Sequence, residues 1–191
     1  MARRYEQMKQ PRFVVELVEG GEQIRIKAAR SWFALPFIIL WLLIWSIGGI
    51  ASMSQLAVKF DLLLLVWLCL WAGGWLLAAA TIAWQLGGAE IIRSVGGDLE
   101  VGYSMPGRSG RRLFRGSEIG GLRVRGGAAE ILAMMHSAYP PFLSGQRAGR
   151  ISFDHGARTH RFAIGMDEAE AAMIVDYLRK RLPAGATDKR G

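Results

Sequence analysis

The sequence is short of cysteine, and two long stretches of it contain no charged residue. Cys69 is the single cysteine in 191 residues, which excludes a small secreted domain held together by disulfide bonds. Because 51% of the residues are hydrophobic, a disordered chain is disfavoured. The hydrophobic excess lies mainly in the two uncharged stretches, so the composition predicts an integral membrane protein.

The two uncharged stretches extend over residues 32–53 and 62–86. At a rise of about 1.5 Å per residue, each is long enough for a helix to cross a hydrocarbon core of about 30 Å. Residues 54–61 between them are too few to form a domain. We therefore predict a transmembrane helical hairpin over residues 31–86, with residues 54–61 as its tight connection.

The basic residues indicate how this hairpin is oriented. Seven Lys and Arg precede the first span, Lys59 alone lies in the connection, and sixteen follow the second span. Since positively charged flanks stay in the cytoplasm, both termini are predicted to be cytoplasmic. A cleaved signal peptide fits poorly, because the first apolar run is too long and begins about thirty residues into the chain.

Both spans are rich in tryptophan and glycine. The tryptophans recur every four residues, so each helix carries an aromatic ridge. We interpret the ridges as surfaces for helix packing or lipid contact. The alternative is that they line a pocket for a pigment, quinone or lipid tail. Neither span contains an ionisable residue of the kind that marks ion pathways, which disfavours a channel or transporter. The candidate packing residues are Trp41, Trp45, Gly48, Gly49, Trp67, Trp71, Gly73, Gly74 and Trp75.

The rest of the chain predicts a small α+β domain that is split by the hairpin. Residues 1–30 contain a β-hairpin, which we expect to pair with strands beyond the spans, because an isolated hairpin is marginal in water. Residues 87–182 contain alternating strand patterns, with residues 106–110 as turn and 111–115 as a short basic strand. An amphipathic helix capped by Asp167 and Glu170 follows and is stopped by Pro183. Residues 183–191 are predicted to be a flexible tail.

Four pieces of residues 87–182 resemble bacterial pleckstrin-homology-like (PH-like) membrane proteins. They are the basic strand that leads to an I-x-x-L-x-V strand in residues 113–124, the I-x-F-x-x-G hairpin in residues 151–156, the Phe162–Gly165 piece and the terminal helix. Ala163 and Ile164 separate a phenylalanine and a glycine that are adjacent in that group. The resemblance implies a bacterial inner-membrane scaffold for lipid or protein contacts, with a small β-barrel or sheet and a C-terminal helix, and no catalysis.

Residues that could carry chemistry are sparse. His155 and His160 flank a hairpin turn and could approach each other, but neither cysteine nor an acidic cluster completes a metal site. The glycine pairs form neither a G-x-G-x-x-G pattern nor a P-loop. We therefore expect no metal, no cofactor and no enzymatic activity.

Six arginines in the strand region form the main candidate site. On alternating strands they could present one basic face to anionic lipids or phosphates, each charge contributing about 1 kcal/mol near an anionic surface. The equally weighted alternative is that they only fix topology and solubilise the strands. Nucleic-acid binding is not expected, because no reader module accompanies them. They are Arg108, Arg111, Arg112, Arg115, Arg123 and Arg125.

The segment between residues 126 and 149 is the second candidate surface. Its apolar side chains suit an adaptable partner surface or a contact with the membrane interface, while packing on the domain itself is the favoured alternative. These side chains are Ile131, Met134, Met135, Tyr139 and Phe142.

The sequence as a whole predicts a non-enzymatic membrane protein that mediates lipid or protein interaction in an assembly, accessory or scaffold role. The expected partners are anionic inner-leaflet lipids and a membrane protein or a second copy of the chain. The alternative function is a small structural subunit of a transport or energy-transducing complex that packs through its hairpin. An enzyme acting on lipid headgroups ranks third.

Overall fold

The computed structural model describes residues 11–18, 21–126, 140 and 149–186. The helices are α1 (Ala34–Val58), α2 (Leu62–Gly87) and α3 (Glu168–Arg179). The strands are β1 (Phe13–Val18), β2 (Gly21–Lys27), β3 (Ala89–Val95), β4 (Asp98–Met105), β5 (Arg108–Phe114), β6 (Ile119–Val124), β7 (Gly149–His155) and β8 (Arg158–Ile164). Short 3-10 turns occur at Gly116–Glu118 and Ala184–Ala186. The described chain is thus an α+β protein.

Helices α1 and α2 form a hairpin, and both are long and apolar enough to cross a membrane. The predicted connection over residues 54–61 is wrong at its start, because α1 continues to Val58. None of residues 54–58 is a glycine or proline, so nothing in the chain stops the helix there. The connection therefore has only three residues. Its last residue, Asp61, caps α2 by accepting hydrogen bonds from the amides of Leu63 (2.8 Å) and Leu64 (3.3 Å).

Strands on both sides of the hairpin form one antiparallel sheet, in the order β1-β2-β3-β4-β5. Strand β2, before the helices, pairs directly with β3, after them, so that Ile24 lies opposite Ile92 and Lys27 opposite Ala89. This confirms the predicted pairing across the hairpin. The chain therefore leaves the sheet for α1 and returns from α2 at neighbouring positions. We call this end of the sheet the helix-proximal end; it is marked by the paired residues Lys27, Ala89, Ser104 and Ser109.

A second antiparallel sheet, in the order β6-β7-β8, contributes to the same core. Ile92, Leu99, Phe153 and Phe162 are all at most 3% exposed. The predicted turn over residues 106–110 is too long, because β5 begins at Arg108 and pairs with β4 from there on. Cross-strand hydrogen bonding therefore outweighs the weak strand preference of the Arg-Ser-Gly sequence.

Helix α3 closes the core and begins with the predicted capping box. The Glu170 amide donates to Asp167 Oδ1 (2.8 Å), and the Asp167 amide donates to Glu170 Oε2 (3.3 Å). The predicted apolar face is confirmed, since its four residues are buried and α3 packs on β6 and β7. These residues are Ala171, Ile174, Val175 and Leu178.

Candidate functional site

Arg30 holds the junction between the hairpin and the five-stranded sheet. Helix α2 has no basic residue in its last turn, and the Arg30 guanidinium donates instead to the carbonyl oxygens of Gln85 (3.1 Å) and Leu86 (2.8 Å). A cation placed on the last carbonyls of a helix satisfies unpaired acceptors and interacts favourably with the helix dipole. The Ser31 amide adds a bond to Gln85 Oε1 (3.2 Å). Residues just before α1 therefore cap the end of α2.

The turn between β4 and β5 lies against the same junction. A Cβ atom on Gly87 would lie 3.0 Å from Pro106 Cγ, so glycine allows the turn to approach the end of α2. Exposed Arg108 begins β5 directly after this turn, and Lys27 ends β2 at the same end of the sheet. Trp32 and Phe33, at the start of the hairpin, are 77% and 93% exposed. The helix-proximal end thus combines basic and aromatic side chains.

The structure does not bring the six predicted arginines onto one face. Arg111 and Arg112 are consecutive in β5, so they project to opposite faces of the sheet. Arg111 lies 3.6 Å from Glu100, and exposed Arg115 lies 3.9 Å from Glu118. The basic region is therefore divided between two faces and partly neutralised by acidic neighbours.

The last two of these arginines belong to the second sheet. Arg123 Nη1 donates to Asp154 Oδ2 at 2.8 Å, and this bond is the main cause that lowers the pKa of Asp154. Arg125 is half-buried just beyond β6, where its amide donates to the Arg150 carbonyl (2.8 Å). Both residues therefore take part in holding β6 to β7. Neither adjoins the arginines of β5 in a sheet ladder.

The tryptophans and glycines of the hairpin divide into packed and open positions. Trp71 Nε1 donates to the Trp45 carbonyl (3.0 Å), and Trp75 Nε1 donates to Ser46 Oγ (2.9 Å). Trp41 stacks on Trp45 with ring centroids 4.6 Å apart. A side chain on Gly49 would collide with the Trp71 indole. These contacts show that much of the aromatic ridge packs helix against helix.

Other predicted positions remain open. A Cβ atom added to Gly48, Gly73 or Gly74 would have no neighbour within 4 Å, and Trp67 is 41% exposed. The hairpin therefore has an unfilled surface beside its packed seam. The predicted surface formed by Ile131, Met134, Met135, Tyr139 and Phe142 lies outside the described residues.

Glu90 is a buried carboxyl group that the sequence analysis missed. It lies in β3 at 5% exposure and accepts hydrogen bonds from the amides of Ala163 (2.8 Å) and Ile164 (3.2 Å) in β8. Burial raises its pKa to about 7. Ala163 has a φ of 63°, an unusual value for a residue other than glycine. In the sequence, a single acidic residue among the apolar residues 89–92 was the only sign of this buried carboxyl group.

Glu90 therefore links the two sheets through a single side chain. The two amides it accepts from are consecutive, so the carboxyl group satisfies donors at the end of β8 that point toward β3. Arg12 makes a second link, since its amide donates to Glu170 Oε1 (2.8 Å) and its guanidinium to the Gly165 carbonyl (2.9 Å). Glu90 and Arg12 thus both have structural partners.

The histidines contribute to an aromatic cluster with Phe114 and Phe153. His155 and His160 do approach each other, with ring centroids 6.0 Å apart. His155 Nε2 lies 3.0 Å from Glu118, while burial is the main cause that lowers the pKa of His160. Within the part of the chain that the structure describes, no three His, Cys, Asp or Glu side chains are grouped to hold a metal ion.

An open cavity lies at the end of the five-stranded sheet that is far from α1 and α2. It has a volume of about 320 Å³ and is lined by the β1–β2 and β3–β4 turns and the end of α3. Tyr177 donates to Glu22 (2.6 Å), which also pairs with Arg181. The hydrogen bond from Tyr177 is the main cause that lowers the pKa of Glu22, and burial raises the pKa of Tyr177 to about 12. These three groups satisfy one another.

Comparison with known proteins adds no relative. No protein-family model, curated protein or solved structure matches this chain.

Proposed function

We propose that this chain is a non-enzymatic bacterial inner-membrane protein, anchored by α1 and α2, whose PH-like cytoplasmic domain mediates contact with anionic lipids and with another protein. The pairing of β2 with β3 is the observation that carries this proposal. Because the hairpin is inserted between two paired strands and capped by Arg30, the domain would be held at a fixed position against the membrane surface.

The surface of the hairpin supports membrane insertion. Phe37, Ile47 and Leu70 are 69–73% exposed, and such an apolar surface would be unfavourable in water but is compatible with lipid. Helices of 25 and 26 residues are roughly 38 Å long, sufficient to cross a hydrocarbon core with some tilt. The sheet domain would then lie at one membrane surface with both of its halves on the same side.

The helix-proximal end supports contact with anionic lipids. Lys27, Arg30 and Arg108 would lie near the headgroups, and Trp32 and Phe33 would lie at the interface, where tryptophan is enriched. Each exposed cation near an anionic surface contributes about 1 kcal/mol. Only Arg108 belongs to the six arginines that the sequence predicted as one face. At about 3.4 Å per residue, Arg112 lies roughly 14 Å farther from this end along β5 than Arg108 does.

The absence of catalysis in this proposal is supported by the partners of the acidic groups. Glu90 accepts from two backbone amides, and Asp154 pairs with Arg123. Glu22 accepts from Tyr177 of α3 and pairs with Arg181. These carboxyl groups hold elements together, which is a structural role.

Retention of anionic lipid by the full chain tests the lipid contact. The chain is released from nanodiscs containing equal amounts of phosphatidylglycerol and phosphatidylcholine, and bound lipids are counted by native mass spectrometry. We expect preferential retention of phosphatidylglycerol, and its loss in the Lys27→Gln/Arg108→Gln variant. A matched control, Arg115→Gln/Lys180→Gln, removes the same charge from exposed positions outside the helix-proximal end of the sheet. Equal loss in both variants, or no preference in wild type, would contradict the proposed contact.

A structural subunit of a membrane complex is the second candidate function. The open positions at Gly48, Gly73 and Gly74 favour it, since small residues allow the close approach of another helix. Mild detergent extraction followed by native mass analysis distinguishes the two. A stoichiometric protein partner that is lost on substitution of Gly73 and Gly74 by leucine would support the subunit function.

A further inference from the structure

The free edges of β5 and β8 border a small cleft between the two sheets. Among the described strands, β5 is the last member of its sheet and β8 the last of the other. Strand β5 is a regular seven-residue strand that is exposed along most of its length, with Leu113 64% exposed. A long exposed edge strand presents unpaired backbone groups on which another strand can pair.

Aromatic rings and basic groups form the walls of the cleft. Its volume is about 50 Å³, and its lining includes Arg112, Phe114, Phe153, His160 and Arg161. Phe114 lies 5.0 Å from Phe153 and 4.7 Å from His160, measured between ring centroids. The space is large enough for the head of one polar side chain and too small for a sugar or nucleotide.

Among the described residues, the charged and titratable groups that line the cleft are basic. The pKa of His160 is lowered by burial first, and then by the electrostatic effect of its neighbours His155, Arg112 and Arg158. The nearby acids have other partners, since Glu118 binds His155 (3.0 Å) and Asp154 binds Arg123 (2.8 Å). His160 Nδ1 and Arg161 Nε are buried without a hydrogen-bond partner. An anion placed here would satisfy donors and offset the positive potential.

We propose that an extended, acidic segment of a partner protein pairs with the free edge of β5 and places one carboxylate in the cleft between β5 and β8. Main-chain hydrogen bonds along an edge give such strand addition its affinity, and side-chain pockets give its specificity. The arginines of β5 and β8 complement an acidic sequence. This proposal names the protein partner of the proposed function and does not depend on the lipid contact.

A segment of protein fits the cleft better than a membrane does. The hairpin joins the sheet at the other end of β5, and Arg112 lies roughly 14 Å beyond Arg108 along the strand. Lipid headgroups at the helix-proximal end would therefore not reach the aromatic floor. A carboxylate on an extended chain that runs along β5 reaches it directly.

The test uses the full chain in phosphatidylcholine nanodiscs and a blocked eight-residue peptide of alternating Glu and Thr. We expect the peptide to raise the pKa of His160, followed by NMR of labelled histidine, and to slow amide hydrogen exchange along β5. A peptide of alternating Lys and Thr should do neither. The Arg112→Gln variant should bind the acidic peptide roughly tenfold more weakly, because one charge-assisted hydrogen bond is lost.

Two control variants separate charge in the cleft from charge elsewhere. Arg112→Lys keeps the positive charge and should recover part of the affinity, while Lys180→Gln removes an exposed charge at the end of α3 and should bind as wild type does. Because Arg112 is exposed, its replacement should leave the fold intact. It should also leave phosphatidylglycerol retention unchanged, so this proposal and the lipid contact can fail separately.

Three results would overturn the proposal. The first is an equal His160 response to inorganic phosphate alone, with no protection of β5, which would indicate an oxyanion pocket. The second is the same response to phosphatidylglycerol nanodiscs without peptide, which would indicate a membrane contact. The third is no response to the acidic peptide at millimolar concentration.

Discussion

The buried carboxyl group of Glu90 should make the connection between the two sheets sensitive to pH. Its pKa is raised by burial from 4.5 to about 7, so between these values the folded chain holds a proton that the unfolded chain has released. This contribution to stability is complete below about pH 4.5 and is lost as the pH rises through 7. The interval corresponds to roughly 3 kcal/mol of unfolding free energy, at about 1.4 kcal/mol per pKa unit.

Native-state hydrogen exchange of β3 and β8 amides between pH 5 and 9, corrected for intrinsic rates, measures this change in the full chain. His160, whose pKa is lowered by burial, changes stability in the opposite direction as the pH rises. The difference between wild type and Glu90→Gln therefore isolates Glu90. We expect the opening free energy of wild type, relative to Glu90→Gln, to decrease as the pH rises.

Glu168→Gln provides the control for Glu90→Gln, because the Glu168 side chain at the start of α3 is 71% exposed and lies 3.8 Å from Arg150, not against the amides of β8. It should keep the wild-type pH profile. If the profiles of wild type and Glu90→Gln run parallel from pH 5 to 9, Glu90 does not hold its proton in the folded chain and the reasoning is refuted.

Two further predictions concern packing and capping. Gly49→Leu should destabilise the hairpin by about 1–3 kcal/mol, because the new side chain would collide with the Trp71 indole. The control Gly48→Leu should be nearly neutral. Equal thermal stabilities of the two variants in detergent would contradict close packing of α1 on α2 at Gly49. Asp167→Ala should cost about 1 kcal/mol through loss of the α3 cap, measured by chemical denaturation of the full chain, and an unchanged midpoint would show that the capping box contributes nothing.

Local patterns predicted the local elements of this fold. The uncharged runs located both helices, the strand patterns around glycine-containing turns located three β-hairpins, and Asp167 with Glu170 marked the start of α3. The pairing of β2 with β3 also followed, because a lone hairpin needs neighbours. The extension of α1 to Val58 was not predicted, because residues 54–58 include polar residues that are typical of a loop, although no helix breaker is present.

Contacts between distant residues account for most of what the sequence did not predict. The separation of the strands into sheets of five and three depends on long-range pairing, so the sequence allowed a single basic face for six arginines that the structure divides among several faces. Arg30 reaches carbonyls 55 and 56 residues away, and Glu90 meets amides 73 and 74 residues away. Neither interaction has a local sequence signature apart from one charge beside an apolar run.

Side-specific labelling in sealed inner-membrane vesicles tests whether the hairpin spans the membrane with both halves of the sheet on one side. In a Cys69→Ser background, single cysteines replace Leu17 in β1, Leu113 in β5 and Lys59 in the connection between α1 and α2, all of which are exposed. A membrane-impermeant thiol reagent should label the cysteines at 17 and 113 only from the cytoplasmic side, and the cysteine at 59 only from the other side. Labelling of all three from the same side, or of 17 and 113 from opposite sides, would contradict a membrane-spanning hairpin inserted in a single cytoplasmic sheet.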